Sequence, residues 1–201
     1  MSGPSGVGKG TLIRRLEERR PELARSVSCT TRGPREGEVH GRDYRFVSPD
    51  EFRRMVGEGG FLEWAHVHGE LCYGTPRAPV EAAMAQGRDI ILEIDYQGAR
   101  SVRQQLPRQA VLVFVAPPSW NSLRDRLVGR DTEDDAAVAR RLKTALAEIA
   151  HLDQFQYVVV NRQIEAATDQ LEAILVGERQ RLPRLDWQAF QAQLLREASE
   201  A

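Results

Sequence analysis

Cysteine, lysine and long apolar runs are all scarce in this 201-residue chain, and each scarcity excludes a class of protein. Two cysteines, Cys29 and Cys72, are too few and too far apart for a disulfide scaffold or a zinc knuckle. The longest apolar run, Ala110 to Ala116, falls far short of the roughly 20 residues that cross a bilayer. No basic-then-apolar leader precedes the first motifs, so nothing marks secretion. An excess of one charge is missing too. With 28 Lys+Arg against 29 Asp+Glu the net charge is -1, which argues against a coat for nucleic acid or anionic membrane. Internal repeats and low-complexity segments are absent. The expectation is a soluble, reduced, cytoplasmic protein with 41% hydrophobic residues and the length of one domain with a proper core.

Helical and strand-like patterns alternate along the chain, which predicts a three-layer α/β fold on a mostly parallel sheet. Leu12, Ile13 and Leu16 form the apolar face of a first helix that Pro21 stops. Residues 25–48 are irregular and glycine-rich. Ser48-Pro49-Asp50-Glu51 reads as a capping box opening a short helix that turns Phe52, Met55 and Val56 inward. Phe61 to His68 reads as a strand, and Pro79 to Gln86 as a helix ended by Gly87. Asp89 to Asp95 and Ala110 to Ala116 read as continuous strands covered on both faces, with Tyr157 to Val160 as a last buried strand. A helix from Ser119 carries Leu123 and Leu127 inward and ends near Gly129. Val138, Leu142, Ala145, Leu146, Ile149 and Leu152 predict one face of a long helix. The final helix shows Trp187, Phe190, Leu194 and Leu195 on one side and is expected to pack on the core, a partner contact coming second.

The first chemistry stands at the start. Gly3-Pro4-Ser5-Gly6-Val7-Gly8-Lys9-Gly10-Thr11 runs straight into a helix. Glycines at 3, 6 and 8 let backbone N–H groups converge on phosphate oxygens, and the helix N-terminus adds partial positive charge. In a chain where only Lys9 and Lys143 are lysines, Lys9 is placed to reach the outer phosphates of a nucleoside triphosphate. Gly10 stands where a hydroxyl usually meets magnesium, so that ion is expected to be held mainly by phosphates and water, Thr11 being a weak substitute.

The second concentration lies in the irregular stretch. Arg32 and Arg35, three apart and fixed by Gly33-Pro34, form a clamp of planar donors suited to a phosphate monoester, which the hydroxyl of Tyr44 completes. Glu63 on a strand edge can accept together from guanine N1–H and its exocyclic amine, whereas adenine presents an acceptor at N1. A site built on such bonds rejects the wrong partner by about 10⁴–10⁵.

These motifs, with Phe61-Leu-Glu-Trp-Ala65, Tyr73-Gly74-Thr75, Ile91-Leu-Glu-Ile-Asp95, Ala116-Pro-Pro-Ser119 and Gly129-Arg130, come in the order of the guanylate kinases, which the chain resembles over residues 3–176. The resemblance implies transfer of the γ-phosphoryl of ATP to GMP, with magnesium. It further implies that Arg32, Arg35 and Tyr44 hold the GMP phosphate, that Ser28, Glu63, Tyr73, Thr75, Glu93 and Asp95 line the GMP pocket, and that Asn161 sits beside the ATP base. Arg126, Arg130 and Arg141 would come from the lid region as charge for the phosphoryl in flight. The implied division is a core of residues 1–27, 81–125 and 142–176, a GMP-binding insertion at about 28–80, a lid at about 126–141 and a helical extension at 177–201. Two departures are visible: Asp131 replaces a usual glycine, which stiffens the lid hinge, and the chain is one residue longer around Gly69–Cys72. His66, His68, Glu70 and Cys72 alternate but lack a second ligand cluster, so no metal site is assigned.

Two other readings remain open at this stage. A non-catalytic guanylate-kinase-like module binding phosphorylated peptides would keep the insertion but have a damaged phosphate loop. A kinase of another small phosphorylated substrate would lack the guanine-reading set Glu63, Ser28 and Thr75. One further expectation concerns the start. A strand needs about five or six residues, yet only Met1 and Ser2 precede Gly3. The pattern predicts that Met1 is an internal residue at the end of the first strand and that the natural chain begins upstream.

Overall fold

The computed structural model describes residues 1–67, 71–128 and 135–200. Its elements run α1 (Lys9–Arg19), β1 (Ala24–Arg25), β2 (Cys29–Thr30), β3 (Arg45–Phe46), α2 (Pro49–Gly57), β4 (Phe61–Val67), β5 (Leu71–Pro76), α3 (Arg77–Ala85), β6 (Ile90–Ile91), α4 (Tyr96–Gln105), β7 (Val113–Ala116), α5 (Trp120–Val128), α6 (Asp135–Ile149), β8 (Tyr157–Val160), α7 (Ile164–Arg179) and α8 (Trp187–Ser199). β1 pairs with β6, and β7 with β8, both in parallel. Met1 and Ser2 join the two pairs. The Met1 amino group donates to Leu92 O at 2.8 Å, and Ile94 N–H donates to Met1 O at 3.2 Å. On the other side Ser2 N–H donates to Val113 O and accepts, through its carbonyl, from Val115 N–H.

Alternation along these strands divides the core between two faces. Ile91, Val113, Val115 and Val159 pack with Leu12 and Leu16 of α1 and Ala167 and Leu171 of α7. Ile90, Leu92 and Ile94 point the other way, onto Val80 of α3 and Val102 of α4. The three-layer arrangement follows from that alternation, as the sequence predicts.

Between β1 and α3 the chain leaves the main sheet for a second one, ordered β3-β2-β5-β4, in which β5 runs antiparallel to both β2 and β4. α2 seals its back: Phe52 is 1% exposed and stacks on Phe61 with ring centroids 4.5 Å apart. The helix begins as read, with Pro49 at its first position and Ser48 Oγ accepting from Glu51 N–H at 3.1 Å. Phe52 is its buried anchor, with Met55 and Val56 partly buried around the same cluster.

Several expectations are corrected. The expected strand Asp89–Asp95 ladders with β1 only at Ile90–Ile91, and the expected strand Ala110–Ala116 starts at Val113. β8 is an outer strand of the main sheet rather than a fully covered one: Val159 is buried but Val158 and Val160 are 51% and 36% exposed. On α6, Leu146 faces solvent at 56% exposure, and Leu152 beyond its end is also exposed. The helix is rotated to bury Ala145 and Glu148, because it packs against Leu123 and Leu127 of α5 and against the phosphate loop. α8 does not pack on the core: it has no buried residue, and Phe190, Leu194 and Leu195 are exposed. A smaller shift starts α3 at Arg77, two residues before Pro79.

Candidate active site

The loop ahead of α1 has the backbone its glycines suggest, with positive φ at Gly3, Gly6 and Gly8. Gly8 is irreplaceable on two counts. Its φ of 97° is left-handed, and a Cβ there would lie 2.6 Å from Asn161 Nδ2. That close approach has a purpose: the buried Asn161 amide donates to Val7 O at 2.8 Å. Arg126 on α5 ties the same region together, donating to Val7 O and to Asn161 O. Gly6, Gly8, Thr11, Arg126, Asn161, Arg162 and Ile164 line a cleft of about 400 Å³ outside the loop. Asn161→Ala removes the bond to Val7 O, a loss of about 1–3 kcal/mol. At roughly 2–4 °C per kcal/mol for a chain of this size, thermal denaturation should show a melting temperature lower by about 2–12 °C.

Lys9 is partly buried and turned back along its own loop, donating to Gly3 O at 2.5 Å and Pro4 O at 3.3 Å. Burial lowers the pKa of its ammonium, and the carboxylates of Glu93, Glu148 and Asp95 oppose that shift. Arg141 on α6 donates to Ser5 Oγ at 3.0 Å. Arg130 lies outside the described residues, as do Asp131, His68, Gly69 and Glu70. Cys72 Sγ approaches His66 Nδ1 at 3.4 Å, and among the described residues no group of His, Cys, Asp and Glu could hold a metal ion.

In the second sheet, Glu63 of β4 and Thr75 of β5 are register partners, beside an irregularity between Phe61 and Glu63. Irregular pairing of this kind re-aims a side chain. Both residues are buried, and Thr75 Oγ1 donates to Glu63 Oε1 at 2.5 Å. Gly98 on α4 makes room for the other oxygen, since a Cβ there would lie 2.7 Å from Glu63 Oε2. Burial raises the pKa of the Glu63 carboxyl and Asp95 adds to the rise, while the Thr75 hydroxyl opposes it. Asp95 also caps α4, accepting from Gly98 N–H at 2.8 Å.

Arg32 anchors the other end of this sheet. It donates to Glu38 Oε1 at 2.8 Å, to Gly33 O at 2.7 Å and to the Tyr73 hydroxyl at 3.2 Å. Its guanidinium lies 5.5 Å from the centre of the Tyr44 ring, which meets Tyr73 edge-on. Arg35 is exposed beside it, its backbone N–H held by Glu38 Oε2 at 2.8 Å. Glu38 was not among the residues singled out from sequence; it holds Arg32 and the Arg35 backbone together. Ser28 is partly buried, and its carbonyl accepts from Arg45 N–H. Burial raises the pKa of the Tyr44 hydroxyl, with Glu93 as the next cause. Gly98 links Asp95, which accepts from its N–H, to Glu63, whose Oε2 crowds it, and Arg25 Nη2 lies 3.8 Å from Glu93 Oε2.

The loop ahead of α1 and the Arg32 cluster of the second sheet are two separate concentrations of polar side chains. A family model described as guanylate kinase matches residues 1–178. The chain belongs to the guanylate kinase family. It is 52% identical over 178 residues to a guanylate kinase of Rhodococcus jostii, covering 88% of this chain and 86% of that one. A guanylate kinase of Synechococcus sp. is 50% identical over 172 residues, covering 86% and 90%. The crystal structure of the guanylate kinase of Anaplasma phagocytophilum superposes with a TM-score of 0.76 at 36% identity, covering 91% of this chain and 86% of that one.

Sequence reasoning missed Glu148, Arg162 and Ile164 in the loop's surroundings. Arg162 and Ile164 carry no pattern of their own. Glu148 had a usable signal: it follows Arg141 by seven residues, two helical turns, and so shares its face.

Proposed function

We propose that this guanylate kinase transfers the γ-phosphoryl of ATP to a phosphate oxygen of GMP, yielding ADP and GDP, in the cytoplasm. The observation that carries the reading is the phosphate loop, with positive φ at Gly3, Gly6 and Gly8 and Lys9 held along its carbonyls. An intact loop also disfavours a non-catalytic phosphopeptide module. The nucleophile is a phosphate oxygen that is already ionised, so the protein has no proton to remove. Its work is alignment and charge.

In this reading the backbone from Gly3 to Thr11, with Pro4, Ser5, Gly6, Val7, Gly8 and Gly10, cradles the ATP phosphates, and Lys9 exchanges its loop carbonyls for their outer oxygens. Asn161 serves ATP by fixing Val7 and the cleft wall. Arg32 exchanges Glu38 for the GMP phosphate, joined by Arg35 and Tyr44. Glu63 reads guanine with Thr75, Ser28, Tyr73, Glu93 and Asp95 around it. Arg126 and Arg141, with Arg130, neutralise charge on the group in transfer. The insertion at about 28–80 is then the GMP domain and residues 126–141 the lid.

The loop does not fit a directly held metal: a Cβ at Gly10 would have open space around it, and Thr11 is exposed and accepts from Arg14. Magnesium would be held by the ATP phosphates and water, and would supply charge neutralisation there.

A coupled ADP-release assay across GMP, dGMP, AMP, CMP and UMP tests the assignment. GMP should exceed AMP by about 10⁴ in kcat/KM; comparable turnover of AMP or UMP overturns it. Arg141→Ala should cut kcat about 10²-fold, the scale of one lost donor to developing charge, with KM changed less than threefold. A change confined to KM would make Arg141 an ordinary binding contact.

A further inference from the structure

Past residue 178, where the family match ends, the chain runs through a short turn into α8. The turn is fastened to the body of the protein. Glu178, buried near the end of α7, accepts from the Tyr157 hydroxyl at 2.5 Å and pairs with Arg181 and Arg184, each at 3.2 Å. Arg184 also donates to Gln109 O at 3.1 Å. The root of α8 is therefore held, while the helix beyond it meets nothing. Among the described residues its side chains hydrogen-bond only within the helix and its cap, and none is buried.

A helix of 13 residues is marginal in water by itself, and helices in proteins draw their stability from a packed apolar face. This one has the face without the neighbour. Trp187, Phe190 and Leu194 follow at spacings of three and four, with Gln191, Leu195 and Ala198 on the same side. Phe190, Leu194 and Leu195 are 62%, 47% and 66% exposed, and Leu182 and Leu185 in the approach are exposed too. A continuous apolar surface of this kind marks a contact with another molecule.

The polar residues select the occupant. A helix that lies on an anionic membrane carries lysine and arginine along its polar face. Here that face is Gln188, Ala189, Ala192 and Ser199, with Arg196 as the one cation of the helix. Nor does it offer a stripe of one charge to a nucleic acid or a charged peptide. It offers opposite charge at its two ends: Arg181 and Arg184 before the helix, Glu197 and Glu200 where it stops. Two copies set antiparallel bring the acidic end of each beside the basic root of the other and oppose their helix dipoles. A parallel pair would set like charge on like. With the crossing at Gln191, Trp187 of one copy meets Leu195 of the other, and Phe190 and Leu194 fill the seam between. Two helices about 20 Å long, with these side chains and Leu182 and Leu185 at the seam, cover on the order of 1,000 Å² in total, the lower bound of a specific interface.

We propose that α8 is a self-association surface, through which two copies of this chain pair as antiparallel helices about a twofold axis at Gln191. An interface at the lower bound of size gives a reversible dimer, with a dissociation constant of about 10–100 µM.

Sedimentation velocity of the full chain from about 2 to about 200 µM should show the mass rising from one chain to two. Leu194→Glu changes a side chain that touches no core, so the fold should stay intact while the dissociation constant rises by more than about tenfold. Cross-linking reads the geometry. Gln191→Cys puts a thiol on the axis, facing its own copy, and diamide should link it into a disulfide dimer. Ala198→Cys should not link, because its two copies lie about 20 Å apart along an antiparallel pair, beyond the roughly 7 Å between Cα atoms that a disulfide spans. The wild-type chain under the same oxidant controls for Cys29 and Cys72. A chain that stays monomeric throughout, even one that binds vesicles of anionic phospholipid instead, overturns the proposal. A dimer that Leu194→Glu leaves unchanged does so too. Ala198→Cys linking as readily as Gln191→Cys would mark a parallel pair and overturn it equally.

Discussion

Glu63→Gln is expected to lower kcat/KM for GMP by about 10²–10³ while the KM for ATP stays within twofold. Thr75 Oγ1 already donates to Oε1 of Glu63, and Gly98 leaves space at Oε2, so the carboxylate keeps acceptor capacity for two neighbouring N–H groups. Glutamine has a single oxygen. If that oxygen serves Thr75, the amide N–H₂ faces the guanine donors; if it turns to guanine, the amide N–H₂ faces Thr75. Either way one charge-assisted bond is lost and a buried donor is left opposed, together about 3–4 kcal/mol. The burial that raises the Glu63 pKa makes a second check. Activity toward GMP needs the ionised form, so kcat/KM should rise with pH through a carboxyl value above the ordinary range, and that limb should vanish in Glu63→Gln. Steady-state kinetics on GMP and AMP decide the point: unchanged discrimination would remove Glu63 from the guanine site.

The parts of this molecule that were legible in the sequence are those fixed by neighbours along the chain. The capping box at Ser48, the face of α1 and the phosphate loop each depend on residues within a turn or two, and each stands as read. The parts that were not legible depend on where a distant element lies. Val158 and Val160 have the composition of a buried strand, but nothing in their own pattern says that β8 is an outer strand of its sheet. The apolar residues of α6 suggested one face, yet Arg141 is drawn to Ser5 and Ala145 is buried against α5, which turns Leu146 outward. α8 has an amphipathic pattern with no core surface to meet it. In the candidate site, residue type was enough to single out Arg32 and Glu63 as candidates, whereas Glu38 as the partner of Arg32 and Asn161 as the support of Val7 could not be read. A carboxylate four residues past an arginine-glycine-proline turn, or an amide 154 positions from the loop, acquires its meaning only from the fold.

Lys9→Met should have the larger effect on chemistry, lowering kcat by about 10³ with the GMP site intact. Methionine keeps most of the apolar stem of the lysine and removes the ammonium, with its charge and its N–H donors. The loss of one preorganised donor to developing charge costs about 10²–10³, and Lys9 acts in a partly buried position where charge interactions are strengthened. Lys9→Arg should rescue little. A point charge fits between the Gly3 and Pro4 carbonyls, and a planar fork does not share that geometry. The same substitution carries a signature in stability. It removes a positive charge that holds down the Glu148 carboxyl, which burial has already pushed up to about 7. Without Lys9 this carboxyl binds a proton still more readily in the folded chain than in the unfolded one. Stability must then fall as pH rises through that window, more steeply than in the wild type. Melting curves of the two chains at pH 6 and pH 8 read this directly, the gap between them widening at pH 8. Single-turnover phosphoryl transfer retaining more than a tenth of the wild-type rate in Lys9→Met would show that the loop backbone and the arginines suffice without the ammonium.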